Sequence, residues 1–218
     1  MKTRIALSSA LILIVLFAYS VAACAGDLKP IRLPAPQTEG GKPLMQALKE
    51  RSSMREFSPR ELPLQVLSDM LWAACGINRP DSGKRTAPTA RNMQEIDVYV
   101  AKADGIYLYN AENNTLMPVV AGDIRELTGK QPFVKTAPIN LVFVADLSKM
   151  EGMPADAVDF YSATDTGFVS ENVYLYCASA GLATVVRGMI DKPAMARAMK
   201  LRDDQKVILA QTVGYPED

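Results

Sequence analysis

The sequence has 218 residues, of which 49% are hydrophobic and 22% charged, a composition that is typical of a folded domain and excludes a disordered or fibrous chain. Basic and acidic residues each number 24, so the chain lacks the basic excess that holds nucleic-acid phosphates, and we expect no nucleic-acid partner. Histidine is absent, which excludes Ser-His-Asp and Cys-His catalysis, removes the commonest metal ligand and favours chemistry carried by an organic cofactor.

Residues 1–23 have the layout of a secretory signal. Two basic residues precede an apolar run over 5–18, which is shorter than the roughly 20 residues of a membrane-spanning helix. The V-A-A-C sequence that ends at Cys24 resembles the lipobox of bacterial lipoproteins and predicts cleavage before Cys24 and lipidation of that residue. Ordinary cleavage at the A-x-A pattern around Cys24 would instead release a soluble protein. Either way, we expect an exported protein of the bacterial cell envelope, periplasmic or anchored to the membrane by lipid.

The mature chain divides into an arm and one domain. Residues 24–42 are rich in Pro and Gly and predict a tether or surface arm, followed by a single domain over 43–218. Helices are predicted over 43–50 and 63–75, where a proline opens each segment and Gly76 ends the second.

Strand patterns and one long helix follow. Strands are predicted over 96–100, 105–109, 115–119, 139–145 and 206–213, the second and third forming a hairpin. Asp165 or Thr166 is placed to cap a helix that Gly181 ends, and its apolar composition predicts burial in a core or between subunits. The irregular order of helices and strands favours an α+β fold. Cys75 and Cys177 lie in apolar helical contexts, as free thiols or as a disulfide.

Three segments carry groups that suit a polar or flat ligand. Arg51 and Arg55 flank two serines and suit a phosphate or polyol, or else complete a helix end. The segment 85–94 is dense in donors and acceptors, and either lines a ligand or forms a capped loop. Gly181 and Gly188 bracket an apolar run, which lets the backbone approach a flat ligand or merely connects a helix to a strand.

Together these segments resemble the nitroreductase family over nearly the whole mature chain. The resemblance rests on R-x-S-x-R at 51–55, P-x-x-x-N-x-Q at 88–94, D-x-G at 165–167 and the closing G-Y-P at 214–216. It implies an α+β homodimer with a mixed, largely antiparallel sheet flanked by helices, a long buried central helix, and FMN at the subunit interface. The R-T-A-P run at 85–88 resembles more closely the branch that contains azoline-forming dehydrogenases.

The resemblance also implies which residues hold the cofactor. In the resemblance, the first segment, 51–55, contacts the phosphate, ribityl chain and pyrimidine edge of FMN. Asn92 reaches the flavin ring from the loop of the partner subunit. The glycine-bracketed segment contacts the ring through its backbone, near the reactive nitrogen. The cofactor-binding residues so predicted are Arg51, Ser52, Ser53, Arg55, Asn92, Arg187 and Gly188. No side chain is expected to be catalytic, because the flavin would carry the chemistry.

The implied activity is ping-pong hydride transfer through FMN to a nitroaromatic, quinone or similar small aromatic acceptor. Nicotinamide cofactors are scarce outside the cytoplasm, so NADH or NADPH as the donor is left open. The alternatives are an FMN-dependent oxidase or dehydrogenase of a peptide or small metabolite, and a non-catalytic flavin-binding lipoprotein.

Two departures from the family pattern bear on the site. No basic residue follows the G-Y-P segment, so that Arg202, Lys206 or Arg91 would have to replace it, and Arg91 stands where small residues are common.

Overall fold

The computed structural model describes residues 28–217, so the predicted signal and the lipidation site Cys24 lie outside the described residues. Within them the fold is α+β, as predicted. Its centre is a seven-stranded sheet with the strand order β1-β6-β5-β4-β7-β9-β8, and every pairing in it is antiparallel. The strands are β1 (Ile31–Arg32), β4 (Ile96–Ala101), β5 (Gly105–Asn110), β6 (Thr115–Ala121), β7 (Ile139–Asp146), β8 (Ala183–Arg187) and β9 (Gln205–Gly214).

Besides the sheet and five short 3-10 helices, the described residues form four α-helices and one small ribbon. The helices are α1 (Leu44–Glu50), α2 (Leu64–Cys75), α3 (Ala155–Ala180) and α4 (Lys192–Ala198), and the ribbon pairs β2 (Ile77–Arg79) with β3 (Lys84–Arg85). Helices α1 and α2 begin directly after Pro43 and Pro63, and α2 ends at Gly76, as the sequence predicts. Within α2, Leu67, Leu71 and Cys75 are buried, whereas Leu64 is exposed.

Each face of the sheet packs against its own apolar core. One core joins α2 and α3 to the sheet through side chains such as Leu71, Val173 and Phe143. The other joins α4 to the opposite face through Met195 and Met199. Strand β7 lies between β4 and β9 and is buried along its whole length, as expected for a predicted central strand covered on both faces.

The predicted start of the long helix is wrong. Helix α3 begins at Ala155, so Asp165 and Thr166 lie inside it rather than at its cap. Both side chains make other bonds: Asp165 accepts the N–H of Ala90, and the Thr166 hydroxyl donates to the Ser162 carbonyl. The predicted end is confirmed, because Gly181 has φ 69°, in the left-handed region that glycine occupies without strain.

Two elements near the site have no predicted counterpart. Strand β8 follows Gly181 within two residues and forms an edge of the sheet, paired with β9. Helix α4 follows it, with the Asp191 carboxylate accepting the Ala194 N–H at 3.0 Å at its start. Both elements are short and lie beside the glycine-bracketed segment, which therefore runs along and past the edge of the sheet.

The segment predicted as a tether or arm is docked on the domain from residue 28 onward. Strand β1 pairs with β6, and Leu33 is buried. The two cysteines of the described chain, Cys75 and Cys177, are free and buried. Among the helices of residues 28–217, none is long and apolar enough to cross a membrane.

Candidate functional site

The segment 51–55 lies along the outer edge of β8. Helix α1 ends at Glu50, and Arg51 continues in an extended conformation with its N–H still bonded to the Ala47 carbonyl. The N–H of Met54 then donates to the carbonyl of Thr184 in β8 at 3.0 Å. This one backbone bond fixes which side chains of the segment face the domain and which face outward.

Tyr174 of α3 is the side chain that joins the segment to the domain. Its hydroxyl lies 2.8 Å from the Ser53 hydroxyl and accepts the N–H of Val186 at 2.9 Å. The guanidinium of Arg51 lies over its ring, 5.3 Å from the centroid. One buried phenol thus holds the helix α3, the strand β8 and the segment 51–55 in a single arrangement.

The charged groups of the segment are available to a ligand. Arg51 is half-buried and Arg55 exposed, and neither has a carboxylate within salt-bridge distance among residues 28–217. The guanidinium of Arg55 makes one long bond, 3.5 Å to the Ser53 carbonyl. Ser52 lines a cavity of about 190 Å³ together with Lys42 and residues of α3 and β8. Two cations and two hydroxyls in this setting suit a phosphate and a polyol chain.

Gly188 follows β8 directly and is exposed. A Cβ placed on it would meet only the Leu209 side chain, at 3.6 Å, which is an ordinary contact. Its backbone also lies outside the left-handed region. The fold itself therefore gives no reason for glycine at this position, whereas close approach of a flat ligand would give one.

The side chain of Arg187 points into the protein. It is only 5% exposed, and it donates to the Thr128 carbonyl at 2.6 Å and to Asn140 Oδ1 at 2.9 Å. Burial lowers the pKa of Arg187 to about 10, so it remains protonated at neutral pH. The Arg187 side chain is therefore not accessible to a ligand at the surface. The resemblance assigns the flavin contact of residues 187–188 to their backbone.

Asn92 lies on a loop, 89–94, that is held in an unusual conformation. Arg91, Asn92 and Gln94 have φ of 50°, 58° and 51°, all in the left-handed region. Such a conformation costs a non-glycine residue on the order of 1 kcal/mol or more, and Asn tolerates it best. At position 91, where the resemblance leads us to expect a small residue, glycine would occupy φ 50° without strain.

The loop is tied down at both ends. The N–H of Ala90 donates to Asp165 Oδ2 of α3 at 2.8 Å, and the N–H of Gln94 donates to the Thr89 hydroxyl at 3.0 Å. Asp165 precedes Tyr174 by nine helical residues, which is about 13 Å along the axis. The segment 51–55 thus lies along β8, which leads into 187–188. Asn92 lies on the loop that is bonded to an earlier part of α3, and its side chain accepts from Gln94 Nε2 at 3.2 Å.

The three basic residues that the sequence offers as alternative phosphate ligands, Arg202, Lys206 and Arg91, differ in whether they are already paired. Arg202 pairs with Asp146 at 2.8 Å and with Asp204 at 2.9 Å. Lys206 pairs with Asp159 at 2.9 Å. Arg91 is exposed and pairs with no carboxylate of the described chain, so it is the available cation of the three.

A larger cleft, of about 700 Å³, lies away from this site beside α2 and the turn after β4. Its two basic residues are already paired, Lys102 with Asp104 and Arg125 with Asp123. Arg125 donates to Asp123 and to the Ala137 carbonyl, and Asp104 accepts from the Tyr107 hydroxyl. The cleft therefore lacks the unpaired cations and the glycine that distinguish the site at β8.

The sequence analysis assigned no supporting role in the site to three residues that shape it. Tyr174 lies on a helix predicted as buried, Asp165 was predicted as a helix cap and as part of the D-x-G motif, and Glu95 follows the P-x-x-x-N-x-Q motif with no pattern of its own. Their partners are far away in sequence: Ser53 for Tyr174 and Ala90 for Asp165. No local sequence pattern identifies these contacts.

The fold and the site define an α+β protein that presents cations, hydroxyls and an accessible glycine along one edge of an antiparallel sheet. The model of the nitroreductase family matches residues 48–215. A relative from Methanocaldococcus jannaschii that bears the name of a nitroreductase is 30% identical over 188 residues, covering 82% of this chain and 93% of its own. The chain belongs to the nitroreductase family and is an oxidoreductase.

Solved structures agree with this assignment. A nitroreductase-family structure from Ralstonia eutropha is 44% identical, with a TM-score of 0.84 over 90% of this chain and 92% of that one. A chain of the microcin synthetase complex of Escherichia coli has a TM-score of 0.69 at 19% identity, covering 78% of this chain and 70% of that one. The second likeness concerns the fold alone.

Proposed function

We propose that this oxidoreductase binds FMN along β8, with the phosphate and ribityl chain beside 51–55 and the flavin ring against the backbone at 187–188. The observation that carries the proposal is Gly188, an exposed glycine that neither packing nor backbone conformation requires. The unpaired guanidinium groups of Arg51 and Arg55 support it, because a cation near the pyrimidine edge stabilises the negative charge of a reduced flavin. Members of the family generally bind FMN.

Bound FMN would supply the hydride chemistry, accepting hydride from a donor and passing it to a nitroaromatic, quinone or similar acceptor. The residues of this chain would bind and orient: Arg51 and Arg55 by charge, and Ser52 and Ser53 by hydroxyl contacts. Because the chain contains no histidine, side-chain proton transfer by imidazole has no part in it. The electron donor remains either a nicotinamide or a reductant of the cell envelope.

A second candidate is an FMN-dependent oxidase or dehydrogenase of a peptide or small metabolite. The R-T-A-P run at 85–88 and the fold shared with a microcin synthetase chain favour it. The two candidates differ in what reduces the flavin. Bleaching of the bound flavin by NADH or NADPH would support the first, and bleaching by a peptide or metabolite without nicotinamide would support the second.

The proposed assembly is a homodimer that completes the cofactor site. Helix α1 packs on α3, and large apolar side chains are exposed on both helices. They are Leu44, Met45 and Leu48 of α1 and Phe160 and Phe168 of α3. Large exposed apolar side chains on two helices that pack together support an interface, and family members are commonly homodimers. A monomeric mass by light scattering for the FMN-loaded protein would overturn this assembly.

We further propose export to the cell envelope with a lipid anchor at Cys24. The lipobox-like V-A-A-C sequence supports it. Replacing Cys24 with Ser should move the protein from the membrane fraction to the soluble fraction of its host. An unchanged distribution would contradict the anchor.

The cofactor proposal is tested first by the visible spectrum of the mature chain after FMN is added and the excess removed. Retained flavin absorption that is lost on mild reduction supports the proposal, and a colourless protein that cannot be reconstituted contradicts it. Arg51→Ala and Arg55→Ala should each weaken FMN binding by about 1 to 3 kcal/mol, the range for charged hydrogen bonds. Arg32→Ala is the matched control, because Arg32 is exposed on β1 at the opposite edge of the sheet and should leave binding unchanged.

Gly188→Ala separates a ligand effect from a folding effect. We expect the free energy of unfolding to change by less than about 0.5 kcal/mol, because the new methyl group makes only an ordinary contact. We expect FMN affinity to fall by about tenfold or more, because the methyl group would stand between backbone and ring. Calorimetric titration with FMN and denaturant unfolding measure the two effects. Unchanged affinity would place the ring elsewhere.

A further inference from the structure

Glu95 is a buried carboxyl group without a donor. It lies between the loop 89–94 and β4, its side chain is 0% exposed, and neither carboxyl oxygen accepts a hydrogen bond from the described residues. A buried carboxylate that lacks donors is costly, whereas a protonated carboxyl group can donate a bond instead. A protonated Glu95 therefore needs a hydrogen-bond acceptor among the neighbouring side chains.

The acceptor is Asp165. Its carboxyl group is 2% exposed and is the acidic group that acts on buried Glu95. Two ionised carboxylates would repel each other in a buried site, but one proton between them allows a hydrogen bond. Asp165 Oδ2 meanwhile accepts the N–H of Ala90 at 2.8 Å. The chain of contacts thus runs from Glu95 through Asp165 to the loop.

The loop needs such a restraint. Arg91 and Gln94 are held in the left-handed region, which is strained for residues of their size. Strained backbone persists only where the surrounding contacts impose it. The Ala90 bond to Asp165 is the contact that ties the start of the loop to α3.

We propose that Glu95 is a positioning residue: as a neutral donor it binds Asp165, and Asp165 in turn holds the Ala90 N–H and the loop that presents Asn92. Ionisation of Glu95 replaces the bond by repulsion between two carboxylates. Asp165 then turns away or takes up water, and the loop is released.

The surroundings of Glu95 place its ionisation near neutral pH. Burial, reinforced by the Asp165 carboxylate, raises the pKa of Glu95 to about 7. Of the described charged groups, those that face it are Asp165 from α3 and Lys149 from the turn after β7, and Lys149 opposes the shift. Lys149 itself is held by Asp97 of β4 at 2.8 Å. Because the chain has no histidine, few other side chains titrate between pH 5 and 8.

The consequence for the cofactor rests on the proposed function. If Asn92 contacts FMN, release of the loop at high pH should weaken FMN binding without any change at 51–55 or 187–188. The loop itself can be followed without FMN, so the two claims can be tested separately.

The test is amide hydrogen exchange of the mature chain between pH 6 and 8, measured by mass spectrometry and corrected for intrinsic exchange. We expect the protection of the 89–94 peptide to fall about tenfold at pH 8 in the wild type, while β7 stays protected. Glu95→Gln keeps a donor that cannot ionise, so its loop should remain protected at both pH values. A wild-type loop with constant protection, or equal losses in wild type and Glu95→Gln, would overturn the proposal.

Asp165→Asn is the second variant, should Glu95→Gln fail to fold. Its amide oxygen can still accept the Ala90 N–H, and its amide nitrogen can donate to ionised Glu95, so the loss of protection at pH 8 should disappear. Persistence of that loss in Asp165→Asn would overturn the proposal. FMN titration at the same pH values should show weaker binding at pH 8 in the wild type only. Failure to bind FMN at any pH would count against the proposed function and would leave the exchange result to decide the role of Glu95.

Discussion

Replacing Asn140 with Leu is expected to lower the free energy of unfolding by about 3 to 5 kcal/mol, the cost of leaving a buried charge without its partner. Asn140 is fully buried on β7. Its Oδ1 accepts from Arg187 at 2.9 Å and from the Thr212 hydroxyl at 2.6 Å, and its Nδ2 donates to the Val134 carbonyl at 2.8 Å. Leu fills the same space but satisfies none of these three groups.

The surroundings of Arg187 explain why the loss should be large. The guanidinium has no carboxylate partner among residues 28–217, and its Nε has no acceptor there. The guanidinium packs directly against Gly129, where an added Cβ would overlap it. Without Asn140, the Thr128 carbonyl would be its remaining acceptor.

Denaturant unfolding at pH 7 measures the effect, and two variants calibrate it. Thr212→Val removes a single hydrogen bond from the same cluster and should cost about 1 kcal/mol. Adding Arg187→Met to Asn140→Leu removes the stranded cation and should recover part of the loss. If Asn140→Leu cost no more than Thr212→Val, the cation would have found another partner, and this account of the cluster would be wrong.

Some elements of the fold could be predicted from the sequence and others could not. Strands β4 to β7 and β9 have strong apolar or alternating patterns, and proline or glycine marks the ends of α1 and α2, so those elements were predicted close to their observed bounds. The start of α3 was not predicted correctly. Asp165 and Thr166 have side chains that are typical of a helix cap, but they lie inside the helix and bond to Ala90 and Ser162. Strand β8 is five residues long and carries too little pattern to separate it from a connection.

For the site, local sequence indicated the segments 51–55 and 187–188 but not the residues that hold them in place. The predicted serines and arginines of 51–55 do lie beside 187–188, since both segments meet at the edge formed by β8. Their support by Tyr174, 121 residues from Ser53, depends on the three-dimensional packing of α3. The pairing of Glu95 with Asp165 is of the same kind, since neither residue has a local pattern that identifies the other.

That pairing leads to an unusual dependence of stability on pH. The carboxyl group of an unfolded Glu titrates near pH 4.3, whereas burial raises the pKa of Glu95 in the folded chain to about 7. Between these values the folded chain binds one more proton than the unfolded chain, so the free energy of unfolding should fall as pH rises. Above about pH 7 the contribution of this group is constant. The expected loss between pH 5 and 8 is about 2 kcal/mol.

Glu95→Gln should remove this slope and make the protein more stable than the wild type at pH 8, because no ionised carboxylate then opposes Asp165. Unfolding by denaturant at half-unit steps from pH 5 to 8 measures both proteins. The ion-paired carboxylates act in another window: Arg125 lowers the pKa of Asp123, so the stability from that pair is lost only as pH falls through the acid range. With no histidine in the chain, a falling curve in the wild type and a flat one in Glu95→Gln would assign the slope to this carboxyl group. Parallel curves would mean that Glu95 is ionised in the folded protein, and that Asp165 holds the loop without its help.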